Sequence, residues 1–369
     1  MSKAHGSAPD PGPQPTPGKL SFADRLQAAW YTDGPLAHLF RPLAGLYGAL
    51  LKLRALLYRS GYLRPGSLPV PVIVVGNWIV GGAGKTPTTL ALLAQLKQWG
   101  LQAGVVSRGY GRTGDEVCLV QREHSAAEVG DEPLLIHLRS GAPVAVGRDR
   151  VAAAQALLAA QPQLQVLISD DGLQHLRLPR ALSILLFDER GLGNGRLLPA
   201  GPLRQPPALL LQAHELVLYN AQSPSTTLPG FMARRALAGA VGLDDWWQGR
   251  PATLPALHAL RGRQLWATAG MAHPQRFFDM LSAEGLQFAP HPLPDHFDFA
   301  ELPWPAGTQD VLLTEKDAVK LPPQRCLGTR VWVVALDFRP EHAFWLALEP
   351  HLQRMKLQPA PLPQDKENG

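Results

Sequence analysis

Residues 74–89 read VVGNWIVGGAGKTPTT, a run of valines that empties into a glycine-rich turn and then into a helix. Few folds accommodate such a stretch. Glycines let backbone N–H groups converge where side chains would clash, and the helix start adds the positive end of its dipole. In that setting Gly84-Lys85-Thr86 reads as a nucleotide phosphate loop. Lys85 would reach the β- and γ-phosphates, and the Thr86 hydroxyl would sit on Mg²⁺. The spacing departs from G-x-x-x-x-G-K-[ST], because Ile79 stands where the first glycine belongs. Val80, Gly81, Gly82, Ala83 and Gly84 complete a loop closer to GGxGK[ST]. A glycine-rich strand–helix turn without a ligand is the plainer alternative.

The surroundings predict an α/β fold. Strands are expected at 68–76, 102–109, 142–147, 164–171, 181–188 and 214–220, with helices at 86–99 and 148–160. Continuous apolar strands alternating with helices mean a parallel sheet covered on both faces. Residues 221–262 carry weaker signals and read as loops. A second, smaller α/β unit follows, with strands at 264–270, 310–314 and 331–336 and helices at 274–285 and 342–355. A length of 369 residues suits two domains. The expected division is a disordered tail at 1–18, an amphipathic segment at 19–64, a nucleotide-binding domain at 65–235, a second domain at 236–355 and a disordered tail at 356–369. Both tails are rich in the chain's 36 prolines and lack apolar periodicity.

Charge and cysteine usage exclude several functions. A net charge of +5 is too small to argue for nucleic acid. Two cysteines, Cys118 and Cys326, cannot build a disulfide framework or a four-ligand zinc site. The start lacks the apolar core of a signal peptide, and no run reaches the ~20 apolar residues of a spanning helix.

The segment at 19–64 has its own character. Leu43, Leu46, Leu50, Leu53 and Leu57 recur at helical spacing with Tyr47 beside them. Lys52 and Arg59 fall opposite, and Arg54 on the flank. Between Leu26 and Arg64, Asp33 is the one acid against Arg41, Lys52, Arg54, Arg59 and Arg64. A helix lying in a membrane interface fits this pattern, each basic residue adding about 1 kcal/mol at an anionic surface. A basic amphipathic helix packed on its own domain fits it too.

Further motifs offer chemistry. Asp170 and Asp171 end a strand, where acids face the ligand crevice of an open α/β sheet. One of them can hold the Mg²⁺ that Thr86 touches. Gln174 and His175 complete the string DDGLQH and are candidates for substrate binding. GDEP (130–133) presents Asp131 and Glu132, with helix N-capping as the structural alternative. PDHFDF (294–299) presents His296 between Asp295 and Asp298, a better base candidate than an isolated histidine. Arg108 and Tyr110 follow a strand, and Arg148 and Arg150 start a helix; both groups suit phosphate or an ordinary surface. GLGNGRLLPAGPLR (191–204) is a shaped loop carrying Arg196 and Arg204. In TEKDAVK (314–320), Thr314 and Asp317 resemble a capping box.

Together these strings resemble the tetraacyldisaccharide 4′-kinases, the lipid A 4′-kinases of Gram-negative bacteria. PVIVVGN, VGGAGKTP, GVVSRGYG, GDEP, APVAVG, DDGLQH, GNGRLLPAGPLR, AGMAHPQRFF, PDHFDF and TEKDAVK occur in the family's order from about residue 70 to 320. LAGLYG is similar to the family's amphipathic N-terminus, and the proline-rich tail before residue 19 looks like an addition. The resemblance implies two α/β/α domains around a cleft and transfer of phosphate from ATP, with Mg²⁺, to the 4′-hydroxyl of a tetraacyldisaccharide 1-phosphate, forming lipid IVA. It places the enzyme peripherally on the cytoplasmic face of the inner membrane. It implies a phosphate loop from Ile79 to Thr86, an Asp131–His296 pair that deprotonates the sugar hydroxyl, and paired aspartates at Asp170 and Asp171. Arg148, Arg150 and Arg177 become candidates for the substrate's 1-phosphate. No nucleic acid and no obligate protein partner is expected.

Two other readings keep the phosphate loop. One is a GTPase of the metallochaperone or targeting type, although the N-K-x-D guanine motif is absent and TEKD has threonine in place of its asparagine. The other is a nucleotide-switched membrane adaptor.

Overall fold

In the computed structural model, which describes residues 22–32, 34–326 and 328–358, helices α1 (Phe22–Thr32), α2 (Pro35–Leu39) and α3 (Arg41–Arg59) precede the first strand. The first half then runs β1 (Val72–Gly76), α4 (Lys85–Gln98), β2 (Ala103–Ser107), β3 (Cys118–Leu119), α5 (Ala126–Val129), α6 (Asp131–Ser140), β4 (Val144–Val146), α7 (Arg150–Ala160), β5 (Val166–Asp170), β6 (Leu182–Asp188) and β7 (Glu215–Asn220). The second half runs β8 (Phe231–Gly242), α8 (Leu243–Trp247), α9 (Leu254–His258), β9 (Leu265–Gly270), α10 (Pro274–Ala283), β10 (Phe288–Leu293), β11 (Asp310–Thr314), α11 (Glu315–Ala318), β12 (Arg330–Pro340) and α12 (His342–Arg354). The sequence-derived tail at 1–18 lies outside the described residues, as does the last one from 359 onward.

The strands form one mixed sheet in the order β10-β9-β11-β12-β8-β7-β6-β1-β5-β2-β4-β3. β1 pairs in parallel with β5 and β6, and Val72 to Val75 are all but inaccessible to solvent. Burial on both faces is why this strand reads as an unbroken apolar run. Because β1 and β5 are parallel neighbours, the glycine loop after β1 and the aspartates ending β5 emerge together at the carboxyl ends of the strands.

The stretch expected to be loops, 221–262, instead carries the twelve-residue strand β8. It pairs in parallel with β7 at Leu218↔Phe231 and Tyr219↔Met232. It then runs antiparallel to β12 from Ala233↔Pro340 to Gly242↔Trp332. The expected boundary at 235/236 therefore falls inside one strand that joins the two halves. FMARRALAGAVG is poor in β-branched residues, so its strand conformation comes from its partners rather than from propensity. β10 (FAPHPL) also escaped the sequence reading; its prolines are tolerated because it is an edge strand.

β8 bends at a bulge, where the register shifts opposite Ala335/Leu336. Gly239 there has φ +129°, and a Cβ on it would lie 1.9 Å from the carbonyl carbon of Thr253. Gly239→Ala is expected to lower unfolding free energy by about 2–4 kcal/mol. Urea denaturation measures this, and an unchanged midpoint would contradict it.

One core spans both halves. Ile73, Leu92 and Trp99 share a buried cluster with Val311, Val333, Phe344 and Leu348. α12 returns across the first half, its Trp345 meeting Trp99 edge-on at 6.2 Å. Leu357 is buried in the same cluster and Lys356 closes α12 with φ +61°, so residues 356–358 belong to the folded body and not to the expected tail.

α3 buries its small residues and exposes its large ones. Ala44 and Gly48 face the protein, with Gly48 packed on Leu197 and the Tyr47 hydroxyl donating to the Arg204 carbonyl at 2.8 Å. Leu43, Leu46, Leu50, Leu53 and Leu56 are each more than half exposed. Leu57, expected in that stripe, is half-buried. No helix among the described residues is long and apolar enough to cross a membrane.

Candidate active site

The glycine loop is held open from outside. Gly81 and Gly84 adopt φ +97° and +96°, and a Cβ on Gly84 would lie 2.2 Å from Asn220 Nδ2. That amide donates to the Ala83 carbonyl at 2.9 Å, and Arg235 of β8 holds the other end of Asn220. Arg190 grips Asp188 with Nε at 3.1 and 2.9 Å and donates to the carbonyls of Gly82 at 3.0 Å and Val80 at 3.4 Å. With these carbonyls directed toward Arg190 and Asn220, the loop does not collapse into the space an anion would fill. Ile79 is 1% exposed and its side chain belongs to the core, which explains why no glycine is needed there.

Lys85 opens α4. Its Nζ lies 3.4 Å from both Asn77 Oδ1 and the Gly81 carbonyl and 3.9 Å from Asp171. Thr86 is buried directly behind it.

The two aspartates ending β5 have different surroundings. Asp170 is fully buried; its Oδ1 accepts from Thr89 at 3.2 Å and its Oδ2 has no hydrogen-bond partner. Burial, with the negative field of Glu132, pushes its carboxyl up to about 7. Asp171, in the left-handed region at φ +51°, is bound by Arg204 at 2.8 and 3.2 Å. Despite burial, Lys85 and Arg204 hold its carboxyl below the usual range. Burial likewise raises the Glu132 carboxyl, opposed by Lys85 and Lys316.

A buried carboxylate with an orphaned oxygen, a second carboxylate beside it and a threonine hydroxyl at the loop form a donor set suited to Mg²⁺. That ion takes one or two carboxylates and completes its shell with phosphate and water. Among the described residues no three His, Cys, Asp or Glu side chains form a group that could hold a metal ion by themselves.

His296 meets Asp131 across 165 residues of sequence, Nδ1 to Oδ2 at 3.0 Å. Asp131 is buried at the start of α6, where the helix dipole favours its charge. His296 sits at φ +61°, an uncommon backbone state for a residue other than glycine. The Tyr110 ring lies 5.7 Å from the imidazole.

The remaining candidates divide. Arg150 is 8% exposed; burial lowers its pKa, as does neighbouring Arg108, while Asp171 and Asp170 act against this. Its Nε has no partner. Arg150 thus lies in the field of Arg108 and the two aspartates, and Tyr110 lies against His296. Arg148 instead pairs with Asp115 at 3.6 Å, and Arg177 with Asp149. Gln174 binds the Asn77 carbonyl and Gln205, both at 3.1 Å, and so supports the loop. Burial holds His175 down to about 4, hence neutral, and its Nε2 is unpartnered.

Sequence reasoning left Glu132 without a role and passed over Asn77, Arg190, Asn220 and Lys316. GDEP and TEKD carried the signal for Glu132 and Lys316, but a capping interpretation satisfied both. Asn77, Arg190 and Asn220 become functional only through contacts that no local pattern encodes.

Known proteins are similar to this chain over most of its length. A family model described as tetraacyldisaccharide-1-P 4′-kinase matches residues 36–353. The chain is 56% identical over 342 residues to the tetraacyldisaccharide 4′-kinase of Methylibium petroleiphilum, covering 91% of this chain and 96% of that relative. It is 55% identical over 321 residues to that of Leptothrix cholodnii, covering 86% and 92%. Its fold is similar to the crystal structure of "apo" form LpxK from Aquifex aeolicus in complex with ATP. The TM-score is 0.74 at 28% identity, over 87% of this chain and 99% of that one.

Proposed function

Since the chain belongs to the tetraacyldisaccharide-1-P 4′-kinase family, we propose how its residues carry the transfer of phosphate from ATP to the 4′-hydroxyl of a tetraacyldisaccharide 1-phosphate, the step that forms lipid IVA. The observation that carries the reading is the Asp131–His296 contact, next to Glu132, whose carboxyl lies in the field of Lys85.

Phosphoryl transfer needs positioning and charge neutralisation more than covalent chemistry. Residues Ile79 to Thr86 wrap the phosphates with backbone, and Lys85 places its cation on the β- and γ-phosphates. Thr86, Asp170 and Glu132 would hold Mg²⁺, which when bound draws charge from the phosphate oxygens. Asp171, tied to Arg204 and facing Lys85, keeps the lysine aimed. His296 donates its Nδ1–H to Asp131, so Nε2 is free to accept the proton of the attacking hydroxyl. Arg150 and Arg108 supply positive charge for an anionic group of the substrate.

The acceptor is a lipid, so the enzyme must reach a bilayer. The exposed leucine stripe of α3, flanked by Arg41, Lys52, Arg54 and Arg59, is the surface that lies on the cytoplasmic face of the inner membrane. Leu46→Glu with Leu50→Glu is expected to weaken binding to phosphatidylglycerol-containing vesicles at least about 100-fold. Transfer to detergent-dispersed substrate should persist. Cosedimentation measures the first, and undiminished vesicle binding would refute the assignment. The kinase reading itself is tested by transfer of label from γ-labelled ATP to the tetraacyldisaccharide 1-phosphate. Nucleotide binding without transfer by the folded protein would favour the adaptor reading.

A further inference from the structure

TEKD, read from the sequence as a cap, does more than cap. Thr314 Oγ1 does accept from the Asp317 amide, at 3.2 Å. Asp317 also receives the Gly270 amide at 3.0 Å, fixing the end of β9. Glu315 pairs with Arg139 of α6, the helix that begins with Asp131, and accepts from Trp246 Nε1 at 3.1 Å. Lys316, between these two anchors, reaches Asp295 with Nζ–Oδ1 at 2.9 Å.

Asp295 is where this matters. Its Oδ1 accepts the His296 amide at 3.1 Å and lies 3.9 Å from His296 Nε2. The imidazole therefore stands between two carboxylates, Asp131 at Nδ1 and Asp295 near Nε2. If Asp295 captured the ring, the proton would move to Nε2 and the nitrogen needed to accept a proton would be occupied. A carboxylate already bound to an ammonium competes less well for that proton. Lys316 itself loses by burial but is held in its charged form by Asp131, Asp295 and Glu132.

We infer that Lys316 is a positioning residue: by pinning the Asp295 carboxylate it keeps the His296 proton on Nδ1, toward Asp131, and leaves Nε2 open to the sugar hydroxyl. The inference rests on the His296–Asp131 reading above and assigns TEKD a part in the reaction.

The test uses full-length protein in detergent with ATP and the tetraacyldisaccharide 1-phosphate. Lys316→Met should reduce kcat about 100-fold, the lower range for loss of a general base, with KM for ATP within about twofold. Lys316→Arg should retain most activity. Asp295→Asn keeps the contact to the His296 amide but removes the competing charge, so Asp295→Asn with Lys316→Met should recover kcat to within about tenfold of wild type. Nitrogen-15 shifts of His296 should report an Nδ1–H tautomer in wild type and a shift toward Nε2–H in Lys316→Met. A Lys316→Met variant whose main defect is a raised KM for ATP would overturn the inference, making Lys316 a phosphate contact. So would a double variant no better than Lys316→Met. Full activity in His296→Ala would remove the underlying dyad reading, whereas a dead His296→Ala beside a normal Lys316→Met would remove only the role of Lys316.

Discussion

Lys85→Ala is expected to reduce transfer of label from γ-labelled ATP to the tetraacyldisaccharide 1-phosphate by about 1,000-fold or more in kcat. A preorganised donor aimed at developing charge is worth about 10²–10³ in rate, and Lys85 is also the proposed cation for the β- and γ-phosphates. Folding should survive. The Lys85 ammonium contacts Asn77, the Gly81 carbonyl and Asp171, and each of these keeps another partner: Arg204 holds both Asn77 and Asp171, and Asn77 Nδ2 still donates to the Gly81 carbonyl at 3.1 Å. Circular dichroism and the thermal midpoint separate a dead site from an unfolded chain. A folded Lys85→Ala variant with wild-type transfer would sink the proposed role of the loop.

His296→Ala is expected to lower kcat by about 10²–10⁴, the range of a positioned base. KM for ATP should change little, because the proposed phosphate loop follows β1, far from the His296 loop in the chain. Asp131→Asn should fall in the same range, since an amide that does not anchor Nδ1–H leaves the tautomer unset. The two side chains act as one unit, so the double variant should be little worse than either single one. Multiplicative losses would mean separate tasks. Retained transfer in His296→Ala would move the base elsewhere, with Asp131 itself the next group to test.

Much of this site was legible because its pieces are local. Strand, glycines, lysine and helix are contiguous in residues 74–89, and each has a backbone reason to stand where it does. Asp170 and Asp171 end a strand whose burial was readable from its apolar run. β8 was not legible, because alanines, glycines and two arginines carry no strand period and only β7 and β12 impose one. TEKD was read correctly as a cap but no further, for a related reason: a cap was a sufficient local account, and it stopped the search for distant partners. The arginines show the same limit. Arg148, Arg150 and Arg177 look alike in sequence, yet Arg148 and Arg177 are spent on Asp115 and Asp149 while Arg150 points inward.

From the sequence alone come the α/β fold class, the candidate phosphate loop, the candidate acid and base, and the amphipathic character of α3, all properties of neighbours within a turn or a strand. The tertiary structure decided that Asp131 and His296 meet, that Asp170 keeps an unpartnered oxygen while Asp171 is bound by Arg204, and that α3 turns its leucines outward. It also put Lys316 on Asp295. The physical reason is distance: hydrogen bonds and buried charges act over a few ångströms, and the chain brings those groups together only after a single core from Ile73 to Leu357 has closed.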